Sequence, residues 1–350
     1  MGEAIALVVG LGVLVWAAAA LDAALGAAPA RRAAPARRAA PARRAAPARR
    51  AAPARRGAPA QRSAPAQGGA PARRAAPGRR AAAGGVVMAP VREAARLLVV
   101  ERRATVSPDT LLLRIGVVSL PVAALLAAVV LPVGLPPVLD LDVGVVWFNA
   151  MEVCVWGALW LVGWGQNAVF PLVGGYRFVA QGMGYELPHM FALIAVGLGA
   201  GSLRMNDVVA AQRDLWFAVW MPAAFVVYLI SAAAMAFWGP MGQAVAPDVA
   251  GGVRADLGGP DRLVFETGRY AMLVVAAAAA VPLFLGGGAG PVLPAWAWGL
   301  IKLVAVLGLL ILVKHRMPVV RADRFVEFAW VVLIPLTLLQ LLVVGVVVLP

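Results

Sequence analysis

The chain is nearly without cysteine: one residue in 350, Cys154, which excludes a disulfide framework and a cysteine-ligated metal cluster. It is almost as poor in histidine, with only His189 and His315. These two lie far apart at the edges of apolar runs, where each reads as an interfacial polar residue rather than a metal ligand. There is no P-loop and no nucleophile elbow, and glycines such as Gly251, Gly252, Gly258 and Gly259 lack a strand–helix context, so no nucleotide site is expected. Acidic residues are missing from one long stretch, since residues 27–85 hold 15 arginines and no Asp or Glu. The formal net charge of +14 is therefore local: the other 16 basic and 17 acidic residues leave the rest of the chain at −1. A nucleic-acid partner is not expected either, because no aromatic side chain interleaves those arginines to stack on bases.

Apolar length is what the chain has in excess. Hydrophobic residues make up 62% of it and the mean hydropathy is +0.84, against roughly half apolar in soluble proteins. Runs of about 20 apolar residues are long enough to cross roughly 30 Å of hydrocarbon as helices. The sequence thus predicts an all-α, polytopic membrane protein with about eight transmembrane helices, the bilayer being its first partner. Residues 1–26 form the first. They carry Glu3 where a signal peptide would have a basic segment, and the positive charge follows the run, so this helix is expected with its N-terminus outside. Seven further spans are expected near 111–132, 143–163, 187–203, 215–238, 270–287, 296–313 and 326–349.

Between the first span and the rest, residues 27–89 repeat the hexad Ala-Ala-Pro-Ala-Arg-Arg, with proline at every sixth position from Pro29 to Pro77. Such spacing forbids a continuous helix and nothing in the repeat can build a core, so a solvated, partly polyproline-II, disordered cytoplasmic loop is predicted. From Val91 to Arg103 the pattern turns helical and amphipathic, setting Leu97 and Leu98 against Arg92, Glu93, Arg96 and Glu101, as in a segment lying on the membrane surface. Residues 90–350 form the main membrane domain. An outside N-terminus puts the hexads, 164–186, 239–269 and 314–324 in the cytoplasm, the last with Lys314, Arg316, Arg321 and Arg324 against Asp323 alone. Loops on the opposite side are acidic (Asp140, Asp142), balanced (Arg204, Asp207, Arg213, Asp214) or uncharged (288–295), which satisfies the positive-inside rule with both termini outside.

Two places carry chemistry. Glu152 falls in the middle of the third span, where a carboxyl costs several kcal/mol unless it is neutral or partnered. Asn149, three residues back on the same helix face, is a candidate partner, and a neighbouring helix is another. The second place is 163–188, too polar to span. In it Arg177, Gln181 and Tyr185 are spaced four apart, on one face of a short helix. Pro188 fits the first turn of the next span, which would set Glu186 at a helix N-terminus where the dipole favours an anion. An ordinary charged cap on a reentrant loop accounts for these residues equally well.

The pattern Gly163-Trp164, Asn167, Gly174-Gly175, Arg177, Ala180-Gln181, Tyr185-Glu186 resembles the signature of the H subunit of respiratory complex I, the quinone-binding membrane component of NADH-quinone oxidoreductase. The resemblance extends to Glu93, Arg96 and Glu101 upstream. Downstream it takes in Arg269 to Met272, Trp298, Lys302, Lys314, Pro318, Arg321, Asp323, Trp330 and Pro335, covering about residues 90–350. Two features depart from the family: the hexads replace its first cytoplasmic loop, and its acid-rich loop before the sixth span is reduced to Asp248, Asp256, Asp261 and Glu266 among Arg254, Arg262 and Arg269.

The resemblance implies a subunit with no redox centre and no covalently bound cofactor, in a bacterial plasma membrane. It would work between membrane-arm and peripheral-arm partners, with quinone as the substrate of the complex. Arg177, Gln181, Tyr185 and Glu186 would line the quinone cavity, with Glu186 at the start of a proton path, and Glu152 is a second catalytic candidate. A membrane component of a hydrogenase-type complex, or a degenerate paralogue acting as an assembly scaffold, are the alternatives.

Overall fold

In the bilayer no water is available to backbone amides and carbonyls, so apolar runs close their hydrogen bonds internally as helices. The computed structural model describes residues 2–33, 85, 87–102 and 105–348, and every regular element among them is helical. The predicted solvated hexad loop lies almost wholly outside the described residues.

Helix α1 (Gly2–Ala33) continues past the expected end of the first span, and α2 (Ala89–Val99) is the amphipathic segment. The bundle then runs through α3 (Thr110–Ala128), α4 (Gly144–Gly165) and α5 (Val169–Ala200). Three short helices follow, α6 (Met205–Ala210), α7 (Phe217–Trp220) and α8 (Pro222–Met235). Next come α9 (Gly259–Phe284) and α10 (Ala295–Arg316). The last span joins α11 (Ala322–Phe328) to α12 (Ile334–Val348) through one π-helical turn.

Six of these helices, counting Ala322–Val348 as one, are long and apolar enough to cross a membrane. Two expected spans take other forms. The apolar stretch near 215–238 is divided, because Pro222 starts a new helix after Trp220, leaving a 14-residue apolar α8. The stretch near 187–203 is the second half of the 32-residue α5.

Helix α9 sits at the centre. In its most apolar 18-residue window 89% of residues are buried inside the protein, against 11% for α1, which leaves most of its side chains on the outside of the bundle. The reason is compositional: Ala276 to Ala280 give α9 a narrow surface on which α3, α8, α10 and α1 all pack closely. Helix starts follow local chemistry. Asp109 caps α3, its carboxylate accepting from the amides of Leu111 (3.2 Å) and Leu112 (3.1 Å). The three-residue turn between α4 and α5 holds Asn167 at φ 45°, and its side-chain amide donates to the Ser107 carbonyl at 3.0 Å, tying that turn to the segment before α3.

Candidate functional site

The spacing Arg177, Gln181, Tyr185 lies along α5 as expected. Gln181 and Tyr185 are buried. The Gln181 amide donates to the Ala234 carbonyl at the end of α8 (2.7 Å), and the Tyr185 hydroxyl accepts from Trp156 Nε1 of α4 (3.1 Å). Arg177, nearer the surface, is paired with Asp248 at 2.9 Å. The motif glycines permit close approach. A Cβ on Gly174 would stand 2.7 Å from the Ala244 carbonyl oxygen, and one on Gly163 2.8 Å from the Pro171 carbonyl oxygen.

The expected break at Pro188 does not occur: α5 runs unbroken from Val169 to Ala200 with Pro188 inside it. The lost hydrogen bond falls on the Gly184 carbonyl and costs about 3 kcal/mol. It is outweighed because both halves of the helix bury one continuous face, from Pro171 to Gly197, against α4, α8 and the last span. Glu186 is consequently no N-terminal cap. It sits mid-helix, half-buried, with the Asn149 side chain of α4 beside its carboxyl, and neither oxygen makes a well-formed hydrogen bond in the protein. Arg177 and Glu186 are separated by about 13 Å along the axis, so they do not pair.

Glu152 is wholly buried, and what faces it is His189 of α5, also wholly buried, with Nε2 2.8 Å from Oε2. The ring N–H is not aligned on the carboxylate as in a regular hydrogen bond, and Nδ1 is free of partners. The expected Asn149–Glu152 bond is absent, since Asn149 turns to Glu186. Tyr228 of α8 covers the imidazole, with ring centroids 5.5 Å apart, and its hydroxyl donates to the Ala276 carbonyl of α9 at 2.8 Å. A titratable pair is thereby sealed inside the bundle, where a lone charge would cost several kcal/mol.

His189, expected as an interfacial polar group, is instead part of the interior. It continues the series 177, 181, 185, 189, and that register was the available signal. A second, partly buried cluster has no counterpart among the expected sites. Asp22 of α1 accepts from Lys314 Nζ (2.6 Å) and the Tyr270 hydroxyl (2.9 Å) and meets His315 at 2.9 Å, joining α1, α9 and α10. The signal here was an acid near the end of an otherwise apolar run. Nearby, Arg269 is buried between the rings of Phe237 and Trp238 and donates to the Phe237 carbonyl at 3.1 Å. Lys302 donates to the carbonyls of Leu285, Gly287 and Ala289 at 2.6–3.0 Å, closing the end of α9.

A cavity of about 610 Å³ opens between α1, α2 and α9. Val15, Trp16, Leu97 and Leu263 give it an apolar side; Asp22, Glu93, Glu266 and Tyr270 give it a polar one. Glu93 accepts from Arg96 at 2.8 Å, a bond that holds its carboxyl below the ordinary glutamate range and keeps it anionic. Arg177, Gln181, Tyr185 and Glu186 are not among the residues lining this cavity. The acids of the loop before α9 and of its first turns are mostly paired: Asp248 with Arg177, Asp261 with Arg102 at 3.7 Å, and Glu266 with Arg254 at 3.2 Å and Arg269 at 3.6 Å. Among the described residues no group of His, Cys, Asp and Glu has the arrangement of a metal site.

The family model described as NADH dehydrogenase matches residues 69–345. The second of the H subunits of NADH-quinone oxidoreductase in Geobacter sulfurreducens is 32% identical over 271 residues, 74% of this chain and 82% of the relative. The first of those in Geobacter metallireducens is 33% identical with the same coverage. The second of those in Cereibacter sphaeroides is 36% identical over 206 residues, 58% of this chain and 65% of the relative.

Proposed function

Because the chain belongs to the NADH dehydrogenase family, in the branch of the H subunits of NADH-quinone oxidoreductase, we propose that it is the quinone-side membrane component of a proton-translocating complex of that kind. It binds no redox centre of its own. Electrons reach quinone from partner subunits of the peripheral arm, and this chain supplies part of the quinone's path and the first proton-carrying groups. The observation that carries the reading is a wholly buried Glu152 and a half-buried Glu186 on adjacent helices of the bundle, where carboxyls serve ion or proton pathways by default.

The cavity between α1, α2 and α9 supports the quinone part. Its apolar side suits an isoprenoid tail, and Asp22, Glu93 and Tyr270 offer polar partners to a headgroup. On this reading the quinone passes through that cavity. Arg177, Gln181, Tyr185 and Glu186 become the polar stripe leading inward from the loop surface. Coupling is placed on the buried groups of α4 and α5, because the loop acids lie in ion pairs nearer the surface. The setting is a bacterial plasma membrane, with partners in both arms of the complex.

Deleting the gene is the direct test. Inhibitor-sensitive NADH–quinone activity in membranes should disappear and return with the plasmid-borne chain, and a tagged chain should copurify with NADH-oxidising subunits. Unchanged activity in the deletion strain, with no copurifying partner, would sink the proposal. Orientation has its own check. Single cysteines near 140 and 290 should react with an impermeant thiol reagent in intact cells, and cysteines near 170 and 320 should not; the opposite pattern reverses the assigned topology.

A further inference from the structure

We propose that His189 is a proton-relay residue joining Glu186 to Glu152, an inference that rests on the functional reading above and adds a group to it. Three observations carry it. His189 and Glu152 are both wholly buried, with Nε2 2.8 Å from Oε2, so one ring nitrogen already lies within proton-transfer distance of that carboxyl. Glu186 is three residues before His189 on the unbroken α5, about 4.5 Å along the axis, on an adjacent position of the same helix surface. The atoms a relay needs make no well-formed hydrogen bond elsewhere: both nitrogens of His189, both oxygens of Glu186 and both oxygens of Glu152.

A neutral imidazole has one donor nitrogen and one acceptor nitrogen, which suits it to pass a proton without changing its own charge. In the proposed step a proton leaves the Glu186 carboxyl for Nδ1 while the Nε2 proton moves to Oε2 of Glu152. Glu186 ends as carboxylate, Glu152 as carboxylic acid, and His189 as neutral imidazole in its other tautomer. One O–H and one N–H bond break, one N–H and one O–H bond form, and the net charge of the three groups does not change. That conservation matters in a low-dielectric interior, where a net charge created at any stage would be expensive.

The surroundings fit this use. The groups around the trio are Asn149 on α4, Tyr185 on α5 and Tyr228 on α8, none of which carries charge as a neutral side chain. Tyr228 lies against the imidazole at a tilt of 35° and is itself fixed by its hydrogen bond to Ala276, so the ring is held in place while both nitrogens stay available.

The test uses the assembled complex in inside-out membrane vesicles, with His189→Gln and His189→Leu. NADH oxidation by quinone and proton uptake per NADH are measured together, and native gels report assembly. Protons taken up per NADH should fall severalfold in both variants while oxidation of NADH by an artificial acceptor at the peripheral arm is unchanged. An unaltered proton-to-NADH ratio in either assembled variant overturns the relay. His189→Gln keeps a polar group of similar size and decides the matter if the leucine variant does not assemble.

A second measurement does not depend on turnover. The chain has two histidines, so ¹⁵N-histidine spectra of the purified full chain, with His315→Gln for assignment, read His189 alone. Exchange between the two neutral tautomers supports the relay. A ring fixed in one tautomer, or held as imidazolium across the working pH range, overturns it. A wild-type complex without NADH–quinone activity would instead strike the functional reading, and the spectrum would still report on the relay.

Discussion

Glu186→Gln is expected to lower inhibitor-sensitive NADH–quinone turnover severalfold in membranes that still contain the assembled complex. Glutamine keeps the size of the side chain and its capacity to hydrogen-bond but cannot release a proton. The position makes this a clean test. Glu186 lies in the interior of a continuous helix, so the substitution removes no N-terminal cap, and a glutamine side chain can still face Asn149 as the carboxyl does. A purely structural carboxyl at this place would therefore tolerate the change, and full activity would leave only a scaffold role for it. Arg177→Met separates the stripe's outer end from its inner one. It removes the pair with Asp248, both side chains being partly exposed, and such a pair is worth no more than about 1 kcal/mol. Assembly should survive. Because that pair ties α5 to the loop before α9, turnover should fall, though less than in Glu186→Gln. A normal rate in Arg177→Met would confine the functional part of the stripe to its buried half.

The largest structural effect is expected from Gly174→Leu. A Cβ there would stand 2.7 Å from the Ala244 carbonyl oxygen and 2.9 Å from the Gly252 carbonyl carbon, both backbone atoms that cannot swing aside as a side-chain end can. Overpacking costs typically about 1–3 kcal/mol, and more where backbone is the obstacle. The loop carrying Ala244 and Val253 would have to leave α5, taking with it the Gln166 bond to the Val253 carbonyl (2.6 Å). Loss of the assembled complex on native gels and a lower melting temperature of the purified chain are the expected readouts. Gly157→Leu is the control, since nothing lies within 4 Å of its added Cβ. Equal assembly of the two variants would show that the motif glycine is not there for close approach.

The amino-acid sequence by itself determined the membrane class, the helical content and the course of six spans, because the apolar length of a run is a local quantity and an isolated backbone in hydrocarbon can only close on itself. It also determined the amphipathic helix after the hexads, through the placing of Leu97 against Arg92 and Arg96, and the stripe of Arg177, Gln181 and Tyr185, through their common spacing. Tertiary structure decided the rest. Whether Pro188 begins a helix or interrupts one depended on how much surface both halves bury, which no local rule contains. Glu152 could be recognised as anomalous from its position in a span, but its partner could not. Pairing with His189 rather than Asn149 follows from the rotation of α4 against α5, set by packing along their whole length. The same holds for Asp22 and Lys314, 292 residues apart in the chain and 2.6 Å apart in the fold. Periodicity states which face of each helix is polar; only the packed bundle states which polar faces meet.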